Sequence, residues 1–157
     1  MSDIDISRYG SAVAALQQEL AGRPAKLVAI DGRSGAGKST LGRFLAHHLN
    51  VTLVETDCFL LGNKGVAYHE DQLHRVITSR TNKGRPVLVE GICLLQLLRK
   101  LDLNHDYLIY VDDDEFDPPY QFVFSPDDKT YRAKRLNAVV AAYEAEFDPK
   151  AVANIVV

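Results

Sequence analysis

Cysteine is scarce in this chain: two in 157 residues, Cys58 and Cys93, with none of the close pairing that a zinc site or a dithiol redox motif uses. Both read as free thiols in a reducing compartment. An excess of positive charge is missing too. Lys and Arg number 18 against 21 Asp and Glu, a net charge of −3, which leaves no basic footprint for a nucleic-acid backbone or an anionic membrane. No apolar run approaches the length of a membrane span, and the opening MSDIDISRYG lacks the basic-then-apolar pattern of a secretory signal. A cytoplasmic protein with small-molecule partners, no nucleic acid and no membrane is the expectation. Internal repeats, low-complexity tracts and Gly/Pro/Ser-rich linkers are also lacking, so residues 1–157 read as one domain.

What is present is an ordinary globular composition, 46% hydrophobic and 25% charged. Short apolar runs alternate with helix-period segments, the pattern of an α/β protein whose parallel sheet is covered by helices. Strands are expected at 27–30, 51–54, 87–89, 107–111 and 153–157, most of them apolar on both faces as buried parallel strands must be. Tyr9, Val13, Leu16 and Leu20 predict a helix across the sheet before the first strand, closed by Gly22 and Pro24. Leu41, Phe44, Leu45, His48 and Leu49 make the apolar face of a second helix, with His47 beside it. Leu73, Val76 and Ile77 make that of a third, and Leu136, Val139, Val140, Tyr143 and Phe147 that of the last. Ser125-Pro126-Asp127-Asp128 supplies the last helix with a cap, a first-turn proline and acidic residues for its positive dipole end.

The sequence VAIDGRSGAGKST, residues 28–40, leaves an apolar strand and at once places three glycines, a lysine and three hydroxyls before an amphipathic helix. Gly32 to Ser39 satisfy the phosphate-loop pattern of Gly, four residues, Gly, Lys and Ser or Thr, in its required strand-to-helix context. Gly32, Ser34, Gly35, Ala36 and Gly37 are expected to turn successive N–H groups toward phosphate oxygens at the positive end of the helix from Lys38. Lys38 reaches the β and γ phosphates in this reading, the Ser39 hydroxyl ligates a magnesium ion bridging them, and Thr40 is a further contact. A dinucleotide site fails, because the spacing is not G-x-G-x-x-G.

Ligands of open parallel sheets sit beyond the carboxyl ends of the strands. Two further carboxylates arrive there: the second strand ends in Glu55-Thr56-Asp57-Cys58-Phe59 and the third in Val89-Glu90-Gly91. Phosphoryl transfer needs a metal held against two phosphates and a group to handle the acceptor hydroxyl. Spacing alone does not say which carboxylate does which. A strand-end acid is also commonly a helix cap or a solvated turn, whereas Glu90, between a buried strand and a glycine, requires a partner.

DGRSGAGKST, ETDCF, VLVEGI and YLIYVDDD, in this order, resemble the uridine kinase and phosphoribulokinase group of P-loop kinases. The likeness covers about residues 25–112, and FDPKAVANIVV resembles that group's closing strand. It implies a P-loop NTPase-type three-layer fold and transfer of the γ-phosphate of Mg·ATP to a hydroxyl of a small acceptor such as uridine or cytidine. It also implies that Asp57 handles that hydroxyl and that Glu90 holds magnesium with Ser39.

The chain departs from the group after its fourth strand. Residues 112–119 read DDDEFDPP where the group carries an arginine-bearing lid helix, and an acidic stretch broken by Pro118 and Pro119 supplies neither the charge nor the helix. The nearest replacement is Arg132, with Lys134 and Arg135, on the last helix; a solvated surface role for these cations is the alternative. Tyr68 and His69 are either acceptor contacts or a surface pair, and YQFVF at 120–124 is an edge ribbon or a flap. The missing lid also keeps open a nucleotide-binding regulatory or scaffold protein. A switch-type NTPase is disfavoured by the lack of a clear water-positioning glutamine.

Overall fold

The computed structural model describes residues 7–62, 66–112 and 129–157, without the side chains of 129–135. Five strands, β1 (Leu27–Gly32), β2 (Thr52–Glu55), β3 (Val87–Glu90), β4 (Tyr107–Val111) and β5 (Ile155–Val156), form one sheet in the order β2-β3-β1-β4-β5. Every neighbouring pair is parallel. This is the expected α/β architecture, a five-stranded parallel sheet flanked by helices. β1 lies at the centre: the chain leaves it toward β2 and β3 on one side and returns to β4 on the other. The crevice beyond its carboxyl end is therefore the topological switch point at which such sheets bind ligands.

Strand periodicity divides the core in two. Leu27 and Ala29 of β1, Val87 and Val89 of β3 and Leu108 of β4 join one cluster, under α3 (Glu70–Thr81), α4 (Leu94–Lys100) and α5 (Lys129–Phe147). The alternate residues Val28 and Ile30, Leu88, Ile109 and Val111 join the other, with Leu16 of α1 (Gly10–Glu19) and Leu41 and Leu45 of α2 (Lys38–Leu49). A one-residue shift in any of these strands would exchange the two sets, so the pattern fixes register. It also decides which face each strand-end side chain serves.

Several sequence expectations are corrected. Leu94–Lys100, for which the sequence gives no expected element, is the helix α4; it carries little polar patterning because four of its seven residues are buried. Val76 and Val139 are exposed rather than on buried helix faces. His47 and His48 are both exposed; the His48 ring stacks on Phe44 from the solvent side, with centroids 5.7 Å apart. β5 is only two residues long, because the preceding residues form α6 (Pro149–Val152), whose Asp148 cap accepts from the Ala151 N–H. The last helix cap at 125–128, most of the acidic stretch (113–119) and the 120–124 segment lie outside the described residues.

Candidate active site

The phosphate loop leaves the centre of the sheet where no side chain fits. A Cβ on Gly32 would lie 2.5 Å from the Val111 carbonyl oxygen, and φ there is +150°. Because that contact is with backbone, it cannot be relieved by a rotamer change. Gly37 at φ +98° makes the turn into α2 and leaves the first N–H groups of that helix facing the loop. Ala36 is buried and packs with the α1 and α2 residues behind the loop, while Ser34 and Gly35 are exposed at its rim and Thr40 is half-buried.

Lys38, in the first turn of α2, is 7% exposed, and its Nζ donates to the Arg33 carbonyl oxygen at 2.7 Å. Burial lowers its pKa, opposed by the negative fields of Glu90, Asp31 and Asp57. One residue on, the Ser39 hydroxyl donates to Glu90 Oε1 at 3.0 Å. Burial raises the pKa of Glu90, an effect that the Ser39 hydrogen bond and the Lys38 charge partly offset. A hydroxyl, a carboxylate and an ammonium thus share one pocket mouth. Such hard oxygen donors fit magnesium, which takes one or two protein ligands and fills its remaining positions from phosphates and water. Accordingly, the absence of a cluster of three or more His, Cys, Asp or Glu ligands among the described residues does not conflict with a magnesium site.

Asp57 sits exposed in the 3₁₀ turn Thr56–Phe59 that follows β2. Its charge acts on both Lys38 and Glu90, which places it at the same rim. Glu55, the register partner of Glu90 in the neighbouring strand, makes a two-pronged ion pair with Arg43 of α2, at 2.7 and 2.8 Å. Arg132 lies in the first turn of α5, and its side chain is outside the described residues.

Four features escaped the sequence reading. Tyr68 is buried, not at the surface; an antiparallel bridge to Leu60 folds it inward, while His69 stays exposed. Its hydroxyl and that of Thr56 approach each other without a geometry that makes a hydrogen bond, and both are buried. Asp31, the last residue before the loop's first glycine, is 1% exposed and accepts from the Gly32 N–H and the Tyr143 hydroxyl. Beside it, Arg33 of the loop makes a two-pronged ion pair with Glu144 of α5, at 2.8 and 2.9 Å. Asp31-Gly32 repeats the signal that singled out Glu90-Gly91, an acid ending a buried strand before a glycine. The two cysteines are free, Cys58 exposed and Cys93 buried, and burial pushes the Cys93 thiol up to about 11.

No protein-family model and no curated protein matches the chain. Solved structures do. A possible uridine kinase from Bacillus stearothermophilus is 15% identical with a TM-score of 0.56, over 95% of this chain and 98% of that one. Shikimate kinase from Acinetobacter baumannii, in complex with shikimate, is 17% identical with a TM-score of 0.53, over 90% of this chain and 86% of that one. At such identities the likeness shows the fold, which is that of P-loop kinases. No helix among the described residues is long and apolar enough to cross a membrane.

Proposed function

We propose that this protein is a cytoplasmic small-molecule kinase that transfers the γ-phosphate of Mg·ATP to an acceptor hydroxyl, with a nucleoside such as uridine or cytidine as the first acceptor to test. The observation that carries this reading is the Ser39–Glu90 hydrogen bond beside Lys38 at the mouth of the loop. Binding of nucleotide exchanges the Arg33 carbonyl for phosphate oxygens as the partner of Lys38. The loop's N–H groups and the amino end of α2 receive the rest of the polyphosphate. Ser39 and Glu90 would hold the magnesium ion, which when bound neutralises charge on the β and γ phosphates. Asp57 orients the acceptor hydroxyl and takes its proton as the acceptor oxygen bonds to the γ-phosphorus. The bond from that phosphorus to the β–γ bridging oxygen breaks, and ADP leaves. Arg132 is the proposed cation for the transferring group.

The fold likeness to a possible uridine kinase and to a shikimate kinase supports the reaction class and does not choose between their acceptors. The test is coupled ADP release from Mg·ATP against a panel of nucleosides, pantothenate and sugar phosphates, with Lys38→Ala as the blank. Release stimulated by one acceptor is expected. ATP binding with no stimulated release would leave a nucleotide-binding regulatory protein.

A further inference from the structure

Asp31 follows the odd-numbered residues of β1 onto the face covered by α3, α4 and α5, away from Lys38 and Ser39 of α2. It lies too deep to meet nucleotide and acts through its neighbours. One carboxylate oxygen accepts from the Gly32 N–H at 2.7 Å, which fixes the first peptide of the phosphate loop. The other accepts from the Tyr143 hydroxyl of α5. Tyr143, 4% exposed, in turn accepts from the Leu95 N–H at 3.2 Å. The first turn of α4 is therefore tied to Asp31 through Tyr143, and the short segment Gly91–Cys93 joins that turn to Glu90. The Gly91 N–H donates back to the Ile30 carbonyl of β1 at 3.2 Å, so the connection has little slack.

We infer that Tyr143 is a positioning residue for magnesium–nucleotide binding: through Asp31 it locks the entry of the phosphate loop to the turn that carries Glu90, and so holds Glu90 opposite Ser39. This rests on the reading of the site as a nucleotide and metal site. A phenol fits the task because it donates to one partner and accepts from another with the same oxygen while its ring fills the core. The ring packs on Phe147 with centroids 5.0 Å apart, so Tyr143→Phe keeps the packing and removes only the bridging oxygen.

Calorimetric titration with ADP, once with magnesium and once with EDTA, separates this role from a structural one. Wild type is expected to bind Mg·ADP more tightly than metal-free ADP. In Tyr143→Phe the Mg·ADP affinity should fall about tenfold, the size of one hydrogen bond to a charged group, while the metal-free affinity changes little. Asp31→Asn should shift the same ratio, and the double variant should be no worse than the poorer single one. If Tyr143→Phe does not fold, Asp31→Asn carries the test. A folded variant that keeps the wild-type gain from magnesium, whatever its melting temperature, overturns the inference and leaves the site's assignment standing. Wild type that binds no nucleotide overturns the assignment itself, and this inference with it.

Discussion

Asp31 and Glu90 end neighbouring strands, each directly before a glycine, yet they serve opposite faces of the sheet. Asp31 is bonded to Tyr143 of α5 and Glu90 to Ser39 of α2. Strand alternation alone separates them: Asp31 shares its side with Leu27 and Ala29, and Glu90 shares its side with Leu88. Two acids with the same sequence signature are thus a buried strut and a candidate metal ligand.

Burial raises the pKa of Glu90, which gives a pH test with a definite sign. The folded state holds this proton to higher pH than the unfolded chain, so the contribution of Glu90 to stability falls as pH rises from the ordinary glutamate value, about 4.3, through the raised one. Thermal melts in EDTA should therefore show Glu90→Gln gaining on wild type as pH increases from 4 toward 8, and saturating magnesium and ADP should reverse the order. A difference that is constant with pH would mean that the carboxylate is not strained by its surroundings.

Lys38→Ala removes the one cation buried at the loop among the described residues. We expect nucleotide affinity to fall about 10- to 100-fold, the loss of a charged hydrogen bond to phosphate, with turnover abolished. Its melting temperature should stay near wild type, because the lysine's hydrogen-bond partner is a single carbonyl. Undiminished ADP production by this variant would remove the loop from the chemistry.

The fold was legible because buried parallel strands are apolar on both faces and the loop motif marks one strand-to-helix junction without ambiguity. Ser39 and Glu90 were legible for the same reason, as each is tied to such a junction. Tyr143 was recognisable only as an apolar helix position, since its ring packs in the core and nothing local reveals where its hydroxyl points. Tyr68 misled in the opposite direction. Its neighbours Ala67 and His69 give no helical or strand period, and only pairing with Leu60 and Phe59 turns it inward. α4 was hidden by its burial, which removes the polar half of the helical pattern.

Gly91 carries a packing prediction. A Cβ there would sit 2.3 Å from Thr56 Oγ1, so Gly91→Ala forces that side chain to move and should destabilise the protein by about 1–3 kcal/mol. The Thr56 hydroxyl is buried without a hydrogen-bond partner, and its removal forfeits none. The double variant Gly91→Ala/Thr56→Ala should accordingly unfold at higher denaturant than Gly91→Ala alone. An additive pair would show that the strain lies in the backbone of the turn and not in this contact.

Asp57 is the residue on which enzyme and binder part. It is exposed at the rim, outside the Ser39–Glu90 pair, yet close enough for its charge to act on both Lys38 and Glu90. Asn at this position keeps the size and loses the ability to take a proton. For a kinase, Asp57→Asn should leave Mg·ATP affinity within about twofold and lower the transfer rate by about 100- to 10,000-fold, the usual worth of a general base. Equilibrium binding and single-turnover transfer measured on one preparation separate these quantities. Transfer that survives the substitution would return Asp57 to the role of a turn residue and leave the acceptor hydroxyl without a base among the groups described at this rim.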